Sequence, residues 1–424
     1  MKLLVIGSGG REHALAWKLA QSPRIQKVYV APGNGGTARE DGLENVNLTA
    51  IADLVEFAKK EDIAFTVVGP EAPLAAGVVD AFRAAHLKIF GPVRAAAQLE
   101  SSKDFAKQFM VRHHIPTAKY RTFTDAAAAH AYIEAEGAPI VIKADGLAAG
   151  KGVVVATSKD EAHAAIDMML EGNAFGEAGA RVVIEECLQG EEASFIVMVD
   201  GEHILPMATS QDHKRLLDND EGPNTGGMGA YSPAPVVTPE LHARILREVI
   251  RPVVAGMKAE DTPYTGFLYA GVMISPDGKI GVLEFNCRFG DPETQPIMMR
   301  LKSDFTVLVE AAINGRLDQV EAEWDRRVAL GVVLAAGGYP DSPRKGDAIT
   351  GLDLKPEDDV HVFHAGTALE GDQTVVSGGR VLCVTALGDT VKIAQTRAYE
   401  AADRIDFAGR QMRRDIGWRA IKKR

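Results

Sequence analysis

The chain has 424 residues, a net charge of −11 and 46% apolar residues, an ordinary composition for a globular protein of about two to four domains. The negative charge argues against non-specific nucleic-acid binding, and no apolar run approaches the roughly 20 residues of a membrane span. The three cysteines are widely separated and odd in number, which excludes a disulfide framework or a cysteine-ligated zinc site. Because a strand begins at Lys2 with no signal peptide before it, we expect a cytoplasmic protein without nucleic-acid or membrane partners.

The first 92 residues alternate short apolar runs with helical segments, and Gly91-Pro92 ends the series. This alternation predicts βαβ units around a parallel sheet. Two further helices are predicted from about Val93 and near Ser102. The predicted strands are Leu3–Ile6, Val28–Val30, Thr66–Val68 and Lys88–Phe90.

A glycine-rich turn, Gly7 to His13, follows the first strand and opens a helix. It resembles the dinucleotide fingerprint G-x-G-x-x-G, but Glu12 replaces the third glycine, and no acidic residue ends the second strand at Pro32. NAD binding is therefore disfavoured. The backbone N–H groups of the turn favour an anion such as phosphate, and the alternative is a tight turn that binds nothing.

A small α+β unit follows, and its glycine-rich loop Ala144–Gly152 has the composition of a Walker loop. It fails that pattern because Lys151 is followed by glycine instead of serine or threonine. We predict a flap between antiparallel strands that closes over a triphosphate and excludes water. Lys143, with apolar neighbours at a strand end, is the stronger candidate for a phosphate contact. The predicted strands are Ile140–Lys143, Val153–Ala156 and Val182–Glu185.

The last of these strands continues through Glu186-Cys187-Leu188 to Glu191. An apolar strand that ends in paired acids suits an adenosine pocket, in which backbone groups read the adenine edge and a carboxylate binds ribose hydroxyls. A larger unit then begins, and a helix near Asp304–Asn314 closes it. Its predicted strands are Glu192–Val199, His203–Ala208 and Gly271–Ser275, followed by the strand described next.

The most informative strand runs from Val282 to Arg288 and leads into Gly290-Asp291-Pro292-Glu293. Side chains on a strand alternate between two faces. Carboxylate and amide oxygens suit a hard cation such as Mg²⁺, and an arginine beside them can stabilise a phosphoryl group. The alternative is a solvated edge strand. We predict a core face of Leu283, Phe285 and Cys287, and an opposite, functional face of Glu284, Asn286 and Arg288.

The residues from Trp324 to the end have the pattern of a separate β-rich domain with one amphipathic helix. They contain no motif that we can connect to chemistry. The predicted elements are the strands Ala329–Ala335, His361–Ala365 and Arg380–Leu387 and the helix Thr390–Ile405.

The order of these features resembles the ATP-grasp superfamily: a βαβ domain, a flap with a lysine and a glycine loop, an acidic hinge, and a Glu-x-Asn strand. Longer motifs resemble the phosphoribosylamine–glycine ligase (glycinamide ribonucleotide synthetase) family, in that family's order and over nearly the full length. The motifs are Gly7–Ala14, Gly69–Leu74, Glu100–Lys103, Asp145–Gly152, Gln211–Arg215, Asn224–Tyr231 and Asn286–Glu293.

The resemblance implies an α/β multidomain fold with three domains: an N-terminal βαβ parallel-sheet domain (1–103) for phosphoribosylamine, an ATP-grasp core (104–320) with a small flap subdomain (about 118–190), and a C-terminal β-rich domain (321–424). It implies that ATP, glycine and 5-phosphoribosylamine give glycinamide ribonucleotide, ADP and phosphate through glycyl phosphate, a step of purine biosynthesis. ATP and Mg²⁺ or Mn²⁺ are the expected cofactors. We expect a monomer with these small molecules as partners.

The resemblance also implies roles for single residues. Glu284 and Asn286 would ligate the metal, Arg288 would stabilise the transferring phosphoryl group or hold the glycine carboxylate, and Asp212 would pair with the glycine ammonium. Asp291 and Glu293 would either orient their loop or touch substrate. The implied phosphoribosylamine pocket has Gly9, Gly10, Asn34 and Glu71. The implied ATP contacts are Lys103, Lys143, Gly150, Lys151, Gly152, Glu185, Glu186, Leu188 and Glu191.

One departure from the superfamily affects the metal site. Many ATP-grasp enzymes carry another carboxylate on the strand before Glu-x-Asn, but Phe267–Ile274 has none. We therefore expect two protein ligands and weak metal binding without nucleotide.

Three rival functions stay open. Another ATP-grasp ligase or carboxylase need not share the N-terminal motif or Asn224–Tyr231. Glu12 argues against a dinucleotide-dependent oxidoreductase. A non-catalytic nucleotide sensor would tolerate loss of Arg288 or of the metal pair.

Overall fold

The computed structural model describes residues 1–148, 151–355 and 359–421. Its N-terminal residues form the predicted parallel sheet. The strands are β1 (Lys2–Gly7), β2 (Lys27–Pro32), β3 (Leu43–Asn45), β4 (Phe65–Val68) and β5 (Ile89–Phe90), with helices α1 (Gly10–Ala20), α2 (Ile51–Lys60), α3 (Glu71–Ala75) and α4 (Val78–Ala84). Their order is β3-β2-β1-β4-β5, and all neighbours are parallel. Strand β3 was not predicted, because three residues with one buried side chain form no apolar run.

Two helices, α5 (Arg94–Ser101) and α6 (Lys103–Arg112), lead from this sheet to the flap unit. Ser102 separates them and caps α6, since its Oγ accepts a hydrogen bond from the Phe105 N–H at 3.1 Å. This junction matters for the site because Lys103 begins α6.

The flap unit is a four-stranded antiparallel sheet covered by two helices. Its elements are β6 (Tyr120–Phe123), α7 (Ala126–Glu136), β7 (Ile140–Ala144), β8 (Val153–Ala156), α8 (Lys159–Ile166) and β9 (Val182–Glu186). The order is β6-β9-β7-β8. Strands β7 and β8 form the predicted antiparallel hairpin on either side of the glycine loop. Strand β6 was not predicted.

The central region contains an antiparallel sheet that packs with the N-terminal unit. Its elements are β10 (Glu191–Asp200), β11 (Ile204–Pro206), β12 (Gln211–Asp212), β13 (Arg215–Leu217), β14 (Glu221–Asn224), β15 (Gly229–Ser232), α9 (Pro239–Ile245), α10 (Arg251–Ala259), β16 (Thr265–Ile274), β17 (Ile280–Asn286), α11 (Thr294–Arg300) and α12 (Phe305–Ile313). The sheet order is β11-β10-β16-β17. Alternate residues of β10, such as Phe195 and Ile196, belong to two apolar clusters, and each cluster also contains residues of β1.

A bulge in β17 changes the predicted alternation. Glu284 and Val282 pair with consecutive residues of β16, so Leu283 is an extra residue in the register. Leu283 is half-buried and lines a cavity, and its predicted place in the core is wrong. Phe285 and Cys287 are buried as predicted.

The C-terminal residues form a second five-stranded sheet. Its added elements are β18 (Val328–Ala335), β19 (Val360–His364), β20 (Thr367–Glu370), β21 (Gln373–Val376), β22 (Arg380–Gly388), α13 (Val391–Ala402) and α14 (Trp418–Ile421). The order β12-β15-β18-β22-β19 takes two strands from the central region, so this sheet is not built from the C-terminal segment alone. Along the described ranges, no helix is long and apolar enough to cross a membrane.

Candidate active site

Most of the predicted site residues line one cavity of about 620 Å³, here called the central cavity, between the flap unit and the central sheet. Two predicted residues of the glycine loop differ: Lys151 is exposed, and Gly150 lies outside the described residues. The predicted residues that line the central cavity are Glu71, Lys103, Lys143, Gly152, Glu185, Glu186, Leu188, Glu191, Asp212, Glu284, Asn286 and Arg288.

A buried carboxylate in this cavity, Glu185 on β9, lies between two lysines. Lys107 Nζ is 2.5 Å from Glu185 Oε2, and Lys143 forms an ion pair with Oε1. Burial raises the pKa of Glu185, but the two ammonium groups outweigh burial and lower it below the usual carboxyl value. Lys143 also donates to Leu283 O at 3.0 Å, and Lys107 donates to Thr117 Oγ1 at 2.7 Å. The flap sheet is thereby joined to β17, and the Lys143 ammonium is held at the cavity wall.

The first residues of the glycine loop are anchored to the start of α6. Asp145 Oδ1 accepts the Asp104 N–H at 2.7 Å, and Arg181 Nη2 donates to Asp145 Oδ2 at 2.6 Å. Lys103 Nζ donates to Gly146 O at 3.0 Å, and burial lowers the pKa of Lys103. The Lys103 ammonium group therefore also lies in the central cavity, beside the loop.

Glu284 and Asn286, the predicted metal ligands, line the same cavity from β17. Burial raises the pKa of Glu284, but Lys214 and two other lysines outweigh it and keep the carboxyl below its usual pKa. In the amide orientation that satisfies its neighbours, Asn286 Nδ2 donates to Glu100 Oε2 at 3.1 Å, which turns Oδ1 away from that carboxylate. One carboxylate and one amide oxygen are the donor types that a hard divalent cation takes.

Another carboxylate, that of Glu192 on β10, lies beside Glu284. Glu192 was not a predicted site residue. Gly271 of β16 pairs with Glu284, and a Cβ built on this glycine would lie 3.4 Å from Glu284 Cγ and 3.5 Å from Glu192 Oε1. Glu192 therefore reaches, from the neighbouring strand, the place where β16 lacks a carboxylate. Lys214 Nζ lies 2.5 Å from Glu192 Oε1 and 3.8 Å from Glu284 Oε1, and it offsets part of the negative charge of the pair.

Arg288 is held by two carboxylates at the end of β17. Its Nη2 is 3.0 Å from Glu100 Oε2, and its Nε is 3.4 Å from Glu71 Oε2. Burial would lower the pKa of Arg288, but these two carboxylates outweigh burial and raise the pKa above its usual value. Glu100 also accepts the Cys287 N–H at 2.9 Å. The guanidinium is thus fixed, charged and oriented beside Glu284 and Asn286.

Asp212 and Glu293 belong to the same charged group. Burial raises the pKa of Asp212 well above its usual value, with Lys214 opposing the shift and Glu293 adding to it. Glu293 is buried, and its Oε2 accepts a hydrogen bond from Ser194 Oγ at 2.9 Å. A Cβ at Gly290 would lie 2.6 Å from Glu293 Cδ, so the loop approaches this side chain closely only because the residue is glycine.

A second cavity of about 540 Å³, here called the junction cavity, lies between the N-terminal and C-terminal sheets. Gly9 and Asn34 line it. Gly10 lies at the start of α1, where a Cβ would be 2.5 Å from Gln295 Nε2. Both ends of the Asn34 amide have protein partners: Nδ2 donates to Ser8 O at 2.9 Å and to His364 O at 2.7 Å, and Oδ1 accepts two backbone N–H groups. Asn34 therefore shapes the wall of the cavity.

Glu12 explains the departure from the dinucleotide fingerprint. Its side chain is buried against two glycines, since a Cβ at Gly7 or Gly69 would lie 2.3 Å or 2.4 Å from Glu12 Cγ. Glu12 Oε2 also accepts the Gly9 N–H at 3.2 Å. The Glu12 carboxylate thus fixes the turn. It occupies the position at which the dinucleotide fingerprint has its third glycine, the residue that lets the helix pack closely on the strand.

The two cavities share Asp291 and Arg380. Arg380 Nη1 donates to Asp291 O at 2.8 Å and to Gly226 O at 2.9 Å. Asp291 Oδ1 accepts Gln295 Nε2 at 2.9 Å. The loop after β17 therefore lies between the two cavities, and Asp291 lines both of them.

Sequence reasoning missed several charged residues that line these cavities, and two of them, Lys107 and Lys214, carried a usable signal. Lys107 is four residues after Lys103, on the same side of a predicted helix. Lys214 is two residues after Asp212 in an extended motif, which favours a shared face. Glu192 and Arg380 had no local signal, because their positions depend on strand pairing and on contacts distant in sequence.

Three family models match consecutive parts of the chain. They describe phosphoribosylglycinamide synthetase: its N domain at residues 1–100, its ATP-grasp (A) domain at 101–294 and its C domain at 329–419. The phosphoribosylamine–glycine ligase of Ralstonia nicotianae is 67% identical over 423 residues, and that of Neisseria meningitidis serogroup A is 67% identical over 424 residues. Each comparison covers 100% of both chains.

Solved structures agree with these matches. The crystal structure of phosphoribosylamine–glycine ligase from Thermotoga maritima superposes with a TM-score of 0.86 at 35% identity, covering 98% of this chain and 100% of that one. A biotin carboxylase from Campylobacter jejuni, at 15% identity, 100% coverage of this chain, 95% of that one and a TM-score of 0.75, shows the shared fold alone. ATP-grasp enzymes use ATP together with a divalent metal. Full-length identity to these ligases establishes that the chain belongs to the phosphoribosylglycinamide synthetase family, in the ATP-grasp superfamily.

Proposed function

We propose that the protein ligates glycine to 5-phosphoribosylamine, a step of de novo purine biosynthesis, and forms glycinamide ribonucleotide, ADP and phosphate. The observation that carries the proposal is the pair of cavities that meet at Asp291 and Arg380. One cavity holds the charged groups that phosphoryl transfer requires. The other begins at a helix N-terminus, where an anion is favoured.

In this proposal ATP binds in the central cavity beneath the flap. Lys103 and Lys143 contact phosphate oxygens, and the glycine loop with Gly150, Lys151 and Gly152 covers them. The backbone of Glu186 and Leu188 faces the adenine, and Glu191 binds ribose hydroxyls. Glu185 acts through Lys143, because its carboxylate is buried between Lys107 and Lys143.

Glu284 and Asn286 hold Mg²⁺ or Mn²⁺ in this proposal, with Glu192 as an additional candidate ligand. The support is the set of hard oxygen donors beside the lysines. When bound, such a cation neutralises charge on the phosphates of ATP.

The glycine carboxylate is too poor an electrophile to react with an amine directly. One of its oxygens attacks the γ-phosphorus of ATP, the bond to the β-phosphate oxygen breaks, and ADP leaves. Arg288, fixed by Glu71 and Glu100, stabilises the charge on the transferring group or orients the carboxylate. Asp212 pairs with the glycine ammonium.

Phosphoribosylamine binds in the junction cavity, with its phosphate at the turn of Gly9 and Gly10 and its sugar along Asn34, and Glu71 contacts it from the wall of the central cavity. Its amine attacks the carbonyl carbon of glycyl phosphate, phosphate leaves with the former carboxylate oxygen, and the amine loses a proton. Both the acyl phosphate and the amino sugar hydrolyse in water, which gives the flap a function.

The test is ADP and phosphate release with ATP, glycine and phosphoribosylamine, the last generated from ribose 5-phosphate and ammonia. We expect product formation only when all three substrates are present. ADP release that does not depend on glycine would contradict the proposal, and bicarbonate-dependent release would favour an ATP-grasp carboxylase instead.

We further propose a cytoplasmic monomer whose partners are these small molecules. Its negative charge disfavours nucleic acid. Light scattering should give a mass near 45.4 kDa, and a doubled mass would contradict the monomer.

A further inference from the structure

Glu40 joins two histidines that are distant in the sequence and that line neither cavity. His13 on α1 and His361 on β19 place Nε2 at 3.1 Å and 2.7 Å from the same Glu40 Oε1. His13 is buried, and the other two side chains are half-buried. We call these three residues the His–Glu–His cluster. Trp17 packs on the His361 ring, with ring centroids 5.0 Å apart.

The cluster has the composition of a metal site, but its hydrogen bonds argue against that function. The His364 N–H donates to His13 Nδ1 at 2.8 Å, so Nδ1 carries the lone pair. Burial lowers the pKa of His13, which keeps the ring neutral with its proton on Nε2. That Nε2–H points to Glu40 and offers no lone pair to a cation.

The cluster is instead an anionic clamp, in which the Glu40 carboxylate joins α1 to β19, two elements that are distant in the sequence. Burial raises the pKa of Glu40, but the hydrogen bond with His13 and the close contact with the His361 ring outweigh burial and lower it, so the carboxylate is ionised. Hydrogen bonds to an ionised acceptor are stronger than neutral ones. The clamp therefore holds the loop after β2 against α1 and β19.

Two further hydrogen bonds connect the clamp to the junction cavity. His364 donates through its N–H to His13 Nδ1 and accepts Asn34 Nδ2 at its carbonyl oxygen, at 2.7 Å. Asn34 and the residues that follow His364, from Ala365 to Ala368, line that cavity. Glu40 and Asn34 lie in the same loop, so a displacement of Glu40 moves both walls.

We propose that Glu40 is a positioning residue for the sugar-phosphate substrate: through His13 and His361 it sets the distance between the Asn34 wall and the Ala365–Ala368 wall of the junction cavity. The identity of the substrate rests on the proposed function. The clamp contacts none of the predicted site residues that line the central cavity. We therefore expect it to affect the binding of one of the three substrates, phosphoribosylamine.

The test compares Glu40→Gln with Glu44→Gln, a control in the same N-terminal unit whose carboxylate pairs with exposed Lys27 at 2.5 Å. Glu40→Gln removes the charge but keeps the size. We expect its KM for phosphoribosylamine to rise about tenfold, the size of one lost charge-assisted hydrogen bond. The KM values for ATP and glycine should change less than about twofold, as should all values for Glu44→Gln.

A second pair of variants separates positioning from general destabilisation. His361→Ala removes the ring nitrogen that lies 2.7 Å from Glu40 Oε1, and His361→Gln places an N–H group at a similar reach. We expect the first to raise the KM for phosphoribosylamine and the second to return it toward wild type, with the melting temperatures of both reported alongside.

The outcomes are distinguishable. If wild type shows no glycine-dependent ADP release, the proposed function fails. If wild type is active but Glu40→Gln keeps the wild-type KM for phosphoribosylamine, or raises all three KM values together, the positioning inference fails. Failure of His361→Gln to improve on His361→Ala would also overturn it.

Discussion

The two cavities are lined by different kinds of residues. The central cavity contains groups of charged side chains that pair with one another: Glu185 with two lysines, Arg288 with two glutamates, and Lys214 with two more. The junction cavity is lined largely by glycines, backbone and neutral side chains such as Asn34 and Thr367, with Asp291 and Arg380 only at its opening to the central cavity.

This difference indicates how each cavity treats its ligand. A charged ligand that enters the central cavity competes with existing ion pairs. A substitution of one charged residue there leaves its ion-pair partner unpaired, which costs much free energy. Ligands of the junction cavity meet a wall whose shape is set by remote contacts, such as Glu40 with its histidines. Substitutions there should alter binding of one substrate by modest factors.

Glu284→Ala should reduce turnover at least about a thousandfold, because it removes the charged metal ligand that we propose for the phosphoryl-transfer site. Steady-state ADP release measures the loss, and circular dichroism checks the fold. Glu240→Ala, at an exposed helix position, is the control and should be active. A folded Glu284→Ala protein with near wild-type turnover would contradict the role, and an unfolded one would favour a purely structural residue.

Glu185→Gln should lower the free energy of unfolding by about 3–5 kcal/mol, because two buried ammonium groups lose their partner. Urea unfolding measures the change. The control is Glu136→Gln, whose carboxylate pairs with exposed Lys119 at 2.9 Å and should cost less than about 1 kcal/mol. Equal losses in the two variants would show that burial of the charged group adds nothing.

Mg²⁺ should bind weakly to the nucleotide-free protein, since the Lys214 ammonium already lies beside Glu192 and Glu284. Lys214→Met removes the cation that contacts both carboxylates, and we expect its Mg²⁺ affinity to rise about tenfold. Isothermal titration with and without ADP measures both. Tight stoichiometric binding to the wild-type protein alone would contradict the account of this site.

Glu40 should contribute stability that depends on pH. Its pKa is lowered in the folded protein, so the contribution is complete above the unfolded carboxyl pKa of about 4.3 and is lost as pH falls below it. The groups facing it are His13 and His361. The difference in unfolding free energy between wild type and Glu40→Gln should shrink from about pH 5 to about pH 3.5. A difference that grows over this interval would have the wrong sign.

The same contrast explains how much could be predicted from the sequence. Strands β1, β2 and β4, the flap hairpin and the Glu284–Arg288 line follow from local apolar patterns and short motifs. The bulge at Leu283 did not, because alternation contains no information about register. Glu192 and the junction walls were also missed, since a strand partner places Glu192 in the site, and His13 contacts His364 across 351 positions of sequence.

The order of events across the two cavities is most directly tested with glycine labelled with ¹⁸O in both carboxylate oxygens. If the carboxylate attacks ATP in the central cavity and the amine later displaces phosphate at the junction, each released phosphate carries one ¹⁸O. Mass spectrometry of the phosphate and of glycinamide ribonucleotide reads both products. Phosphate without the label would contradict the glycyl phosphate route and, with it, the division of labour between the cavities.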